Sequence, residues 1–160
     1  MAVAVVPPRR LLAAVLLFPL LALGGCLAAL MPSVDSEGAS LTATQHLARI
    51  RAGNGLPALA SDPMLEKAAR QQAAYMAGSR KMEHSTGWGR DFTARVRDNG
   101  IVGAAAENIA RGRMDLDRLF AMWMASSGHR RNMLDPRFSR FGLAHAGEGD
   151  QRYWALILGR

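Results

Sequence analysis

The chain has 160 residues, the size of a single domain, with one cysteine and a formal net charge of +7. A lone cysteine excludes an internal disulfide framework. The 20 lysines and arginines are interleaved with 13 acidic residues, and no recognition helix, aromatic-stacking strand set or zinc module accompanies them, which excludes a dedicated nucleic-acid binder; the balance suits anionic lipid head groups or wall polymers instead.

Residues 1–25 read as an export signal, with Arg9 and Arg10 ahead of an uncharged run at 11–23. The run is short for a helix that must cross roughly 30 Å of hydrocarbon, and Pro19 interrupts it. The segment Leu23-Gly24-Gly25-Cys26 resembles the lipobox of bacterial lipoproteins. That resemblance implies a bacterial source, cleavage before Cys26 and acylation of its thiol, with ~0.8 kcal/mol of membrane affinity for each buried CH2 group. Leu27, where an aspartate would retain the protein at the inner membrane, implies the outer membrane facing the periplasm if the cell has two membranes. An uncleaved signal anchor reaching Leu30 and an ordinary cleaved leader are the other two readings. Loss of Arg9 and Arg10 with the leader lowers the charge from +7 to +5. Residues 26–39, with Pro32, Ser33, Asp35, Ser36, Glu37 and Gly38, form a polar tether, and the domain spans 40–160.

A first helix is predicted from Ser40, a possible cap, with Leu41, Leu47 and Ile50 on its apolar face, ending at Gly53-Asn54-Gly55. Asp62-Pro63 opens a second, with the aspartate as cap and the proline in the first turn. Leu65, Ala68, Ala69, Tyr75 and Met76 give it a three/four repeat, and Gly78-Ser79 breaks it. His84 follows at the rim of the packed core. Gly87 and Gly89 flank Trp88 in a loop, and Asp91 caps a short helix carrying Phe92, Arg95 and Val96 to Asn99-Gly100. The stretch 104–136 is the centre of the chain's chemistry. It places Glu107-Asn108 before an amphipathic helix at 116–126, capped by Asp115 and carrying Leu116, Leu119, Phe120, Trp123 and Met124. That helix is expected to stop near Gly128, leaving His129 on a bend beyond it. Phe141, Leu143 and His145 then alternate with small residues, and 153–158 is apolar on both faces, so two strands joined by a short turn end the chain, the second central and covered on both sides. The elements add up to a layered α/β fold.

Arg51-Ala52-Gly53-Asn54-Gly55-Leu56-Pro57, then Leu65 with Ala68-Ala69, His84, Glu107-Asn108, Trp123 and Ser127-Gly128-His129-Arg130-Arg131-Asn132-Met133-Leu134 follow one another in an order that resembles the CAP superfamily, and within it the bacterial SCP-like branch of cysteine-rich secretory, antigen 5 and pathogenesis-related 1 proteins. The resemblance covers 41–158. It implies a three-layer α-β-α sandwich with a central antiparallel sheet, and a cavity lined by two histidines and two acids. The histidines carry over as His84 and His129 and the first acid as Glu107; Ser126 stands where the second acid is usual. Ser126 and Asn108 are placed at the cavity rim.

Two imidazoles and one carboxylate suit Zn2+ or another divalent metal, with affinity falling near pH 6.5 as the imidazoles protonate. Glu107 has three readings: a ligand, a base for water, or a carboxylate that orients His129. Ser126 and Ser127 have no G-x-S-x-G context, and no phosphate-cradling glycine loop is present. Two functions therefore compete. One is an envelope-tethered module binding a small ligand, lipid, peptide or glycan, with metal held by the two histidines. The other is a metal-assisted hydrolase of envelope peptides or esters, in which His84 and His129 hold the ion and Glu107 receives the proton of water.

Overall fold

The computed structural model describes residues 35–160. The leader, Cys26 and most of the tether lie outside the described residues.

The two final strands, β4 (Arg140–Ala146) and β5 (Tyr153–Gly159), pair antiparallel from Arg140 opposite Gly159 to Ala146 opposite Tyr153. Their connection contains a 3-10 turn at Gly149–Gln151. On the other side of β5 lies β3 (Ala105–Arg111), also antiparallel, with Glu107 opposite Ile157 and Asn108 opposite Leu156. The outer edge of β4 takes β1 (Ser36–Gly38) antiparallel and the two-residue β2 (Ala60–Ser61) parallel, so the main order is β1-β4-β5-β3. Ser36, Glu37 and Gly38, expected in the tether, thus belong to the sheet.

Every residue of β5 is buried, as its two-faced apolar pattern requires. Tyr153, Ala155 and Ile157 pack with Leu65, Ala68, Ala69 and Met76 of α2 (Pro63–Ser79). Trp154, Leu156 and Leu158 face the opposite layer, built from α1 (Ser40–Ala52), α4 (Leu116–Ala125) and α5 (Ser127–Met133). The alternation of strand side chains therefore separates two cores, and the result is the expected three-layer sandwich. On α2, Asp62 caps as predicted, accepting the backbone N–H groups of Met64 and Leu65 at 2.8 and 3.1 Å. A Cβ at Gly142 would overlap the backbone of Leu65 and Glu66. Glycine is what lets α2 lie so close on β4.

Three local expectations are corrected. On α1 the buried face is Ser40, Ala43, Leu47 and Arg51, while Leu41 is 82% exposed. Ser40 does not cap this helix; its hydroxyl accepts the N–H of Leu143 at 2.9 Å, tying α1 to β4. Arg51 is buried and donates to the carbonyls of Pro57, Met133, Asp135 and Phe138, so it ties the segment after α1 to the end of α5 and the connection that follows it. Glu107 and Asn108 lie within β3, not in a turn before a helix. Finally, α4 stops at Ala125; Ser126 is extended, with ψ 123°, and α5 starts immediately, so His129 lies inside a short helix and Gly128 stops nothing.

Candidate functional site

The site starts from a buried ion pair. Arg95, on the short helix α3 (Phe92–Asp98), points its Nη2 at both oxygens of Glu107, at 2.9 and 2.7 Å, and each side chain is 2% exposed. Asp91 caps α3 through the Ala94 N–H at 2.9 Å, which fixes where the guanidinium emerges. A carboxylate paired with a guanidinium offers only acceptors, so the 2.7 Å contact to His84 makes Nδ1 of the imidazole the donor and leaves Nε2 as its lone-pair side. The His84 side chain is 56% exposed.

Arg95 does more than neutralise Glu107. Its Nη1 donates to the carbonyl of Arg90 at 2.8 Å and its Nη2 to that of His84 at 3.1 Å, so one guanidinium closes both ends of the loop 84–90. Gln72 of α2 holds the preceding carbonyl, Glu83, at 2.6 Å. The loop is a clip on a buried base.

Asn108, next to Glu107 in β3, points to the other face of the sheet. Its Nδ2 donates to the backbone carbonyl of His129 at 3.1 Å, and its Oδ1 accepts Nδ2 of Asn132 at 2.9 Å. Asn108 thereby joins β3 to α5. The His129 ring stands edge-on to Trp123, with centroids 6.4 Å apart. Burial pushes the His129 imidazole below the ordinary 6.5, and the like charge of His84 adds to the effect. The two histidines come from layers on opposite faces. β3, an edge strand, contacts both segments, through Glu107 to His84 and through Asn108 to the His129 carbonyl, and the charge of His84 reaches His129. Ser126 is half-buried at the break between α4 and α5.

The donor set fits a metal centre only in part. Both oxygens of Glu107 are engaged by Arg95 and one also by His84, so Glu107 does not fit as a ligand. Among the described residues no three His, Cys, Asp or Glu side chains are grouped to hold an ion. The donors left are two imidazoles. Arg95, which closes the site, was seen in the sequence only as a residue of a short helix. The one available signal was its spacing of three from Phe92 on a helix too short to bury a charge without a partner.

Elsewhere, a hollow of about 590 Å3 lies at the β1 edge, where Glu37, Arg113, His145 and Arg152 line it. Among the described residues no helix is long and apolar enough to cross a membrane.

The same architecture recurs in solved structures. An outer surface protein of Borrelia burgdorferi superposes with a TM-score of 0.70 at 19% identity, covering 79% of this chain and 98% of that one. An extracellular protein of Bacillus anthracis containing an SCP domain gives 0.67 at 24% identity, over 75% of this chain and 39% of the other. In sequence, the uncharacterized protein YkwD of Bacillus subtilis is 32% identical over 100 residues, which is 62% of this chain and only 39% of that protein's length. The profile of the cysteine-rich secretory protein family, CAP, matches residues 44–158, a span that starts in α1, ends in β5 and includes the whole His84–Glu107–His129 arrangement. With that profile matching well over half of its length, the chain belongs to the CAP family of cysteine-rich secretory proteins.

Proposed function

We propose that this CAP domain is a non-catalytic binding module of the bacterial cell envelope, tethered through an acylated Cys26, with its ligand surface around His84 and the β3 edge. The state of Glu107 carries the reading. A base that takes a proton from water needs a free lone pair facing the reaction; here three charge-assisted hydrogen bonds take three of the roughly four acceptor positions of a carboxylate whose side chain is 2% exposed, and it holds a loop in place. The tether supports the location. Ten residue steps from Cys26 to Ser36 span at most about 35 Å, which keeps the domain at the membrane surface. The Borrelia protein is an outer surface protein and the Bacillus anthracis protein an extracellular one, which agrees with an exported setting.

A divalent metal would have the His84 and His129 imidazoles as its protein donors, acting there as a Lewis acid, and would bind below the strength of a three-ligand centre. The metal-assisted hydrolase is the rival, and one experiment separates the two. Full-length protein is assayed on a panel of envelope peptides and esters with Zn2+ added at pH 7.5, while histidine NMR resonances are followed. The binding reading expects no turnover above background, with Zn2+ shifting both imidazoles or neither. Metal-dependent turnover that disappears in Glu107→Gln, with an unchanged circular dichroism spectrum, would establish the hydrolase. The mass of the mature protein before and after alkaline hydrolysis tests the anchor; no loss of acyl mass removes it.

A further inference from the structure

The three tryptophans have very different environments. Trp123 and Trp154 are 0% and 4% exposed, whereas Trp88 is 103% exposed, its indole wholly in water. It stands at the tip of the loop that Arg95 closes. Gly87 and Gly89 flank it with φ of +154° and +66°, the second in the left-handed region that glycine tolerates best. The turn is hydrogen-bonded from Arg90 N–H to the Gly87 carbonyl at 3.0 Å, and the Arg90 guanidinium lies over the Tyr75 ring at 5.0 Å. Below it are the Arg95 bonds to the Arg90 and His84 carbonyls and the buried Glu107. A fully exposed indole is thus carried on a stem fixed at both ends.

A large aromatic face held in water without covering side chains is a preorganised contact surface, since little loop entropy remains to be lost when a partner docks. The neighbours indicate the partner's chemistry. Ser85, Thr86, Gly87, Gly89, Arg90 and Asp91 surround Trp88 in sequence, and none adds the apolar area with which a membrane-inserting segment buries itself among lipid chains. At the stem, the exposed His84 ring has one nitrogen directed by Glu107 and the other available for a hydrogen bond. An apolar plate on a loop that also carries hydrogen-bonding groups matches a pyranose, which has a C–H face and a rim of hydroxyls. We infer that the 84–90 clip is a saccharide platform, with Trp88 stacking on a sugar ring of an envelope glycan chain and His84 bonding its hydroxyls. This rests on the binding-module reading and names its ligand class.

The test uses the full-length chain in a sugar-free detergent. Because Trp123 and Trp154 are buried, acrylamide quenching at the red edge of the emission reports mainly on Trp88. An N-acetylglucosamine tetramer is expected to protect Trp88 saturably, and peptidoglycan sacculi to co-sediment the protein. Trp88→Ala, with an unchanged circular dichroism spectrum, is expected to weaken both by about tenfold or more, and Trp88→Tyr to restore part of the affinity. Unchanged quenching with both glycans overturns the platform, as does protection by lipid vesicles alone, which would make Trp88 a membrane contact. An affinity of Trp88→Ala within about twofold of the parent also overturns it. Failure of the underlying reading looks different. Cleaved tetramer in the chromatogram would end the non-catalytic assignment while leaving the platform intact. A peptide that shifts His84 resonances, with no glycan bound, would keep the binding module and end the platform.

Discussion

At the residue scale, the Arg95–Glu107 pair is a fold element before it is a candidate for chemistry. Taking two charges out of water is costly, and the cost is met only while both are present and hydrogen-bonded. Arg95→Met would leave a buried carboxylate without its main partner and should destabilise the protein by about 3–5 kcal/mol, with Glu107→Leu comparable in sign because it leaves the guanidinium unpaired. The double variant Arg95→Met/Glu107→Leu should recover much of that loss, because no lone charge remains. Urea unfolding of the two single variants and the double variant measures this. Hydrogen exchange across residues 84–90 separates the two roles of Arg95, because only loss of the guanidinium frees both the His84 and Arg90 carbonyls. A double variant as unstable as the sum of the single ones would show that the pair does not act as a unit. His84, Glu107 and His129 were legible in the sequence through their motif order. Arg95 was not, because its partner lies twelve residues on in a strand that local pattern does not reveal.

At the element scale, β3 and the α4–α5 break show why local signals failed. Ala105, Ala106, Glu107, Asn108 and Ala110 carry low strand propensity and no clean alternation. They form a strand because β5 presents a paired edge and because Glu107 and Asn108 find partners on opposite faces. The hairpin of β4 and β5 was readable because its pattern is carried by large apolar residues. Gly128 looked like a helix stop because glycine is frequent at that position. It sits instead in the first turn of α5, with nothing within 4 Å of where a Cβ would be and no positive φ. Gly128→Ala should therefore stabilise the protein, by about 0.5–1 kcal/mol, whereas at a left-handed stop the same change would destabilise it. Gly142→Ala should do the opposite. Its Cβ would meet α2 backbone, which cannot rotate aside, and a loss of about 1–3 kcal/mol is expected. Thermal unfolding of the two variants in one buffer checks both signs, and a lower midpoint for Gly128→Ala would contradict a start of α5 at Ser127.

At the scale of the whole molecule, the three layers half-bury two imidazoles, one on α5 and one on β4, and both resist protonation. His129 is lowered by burial and then by His84. His145, on β4 opposite Glu37 of β1, is lowered by burial and then by Arg152 and Arg70, with Glu37 at 3.7 Å opposing the shift. Each group binds its proton less readily in the folded chain than in the unfolded one, so in the interval below about pH 6.5 the unfolded state holds more protons and stability rises with pH. The contribution is complete above the unfolded value and is lost as pH falls through the folded ones. Asp135, held down to about 2 mainly by hydrogen bonds from Arg137, titrates in a lower range and leaves this interval to the histidines. The midpoint of thermal unfolding should accordingly fall between pH 7.5 and pH 5. His129→Gln/His145→Gln should flatten that slope without reversing it, because glutamine retains a polar side chain but has no proton to gain. A slope unchanged in the double variant would assign the acid sensitivity to other groups. A slope flattened by His129→Gln alone would place it at the β3 edge, where the same neutral imidazole that resists acid is the one left free to meet a ligand or a metal ion.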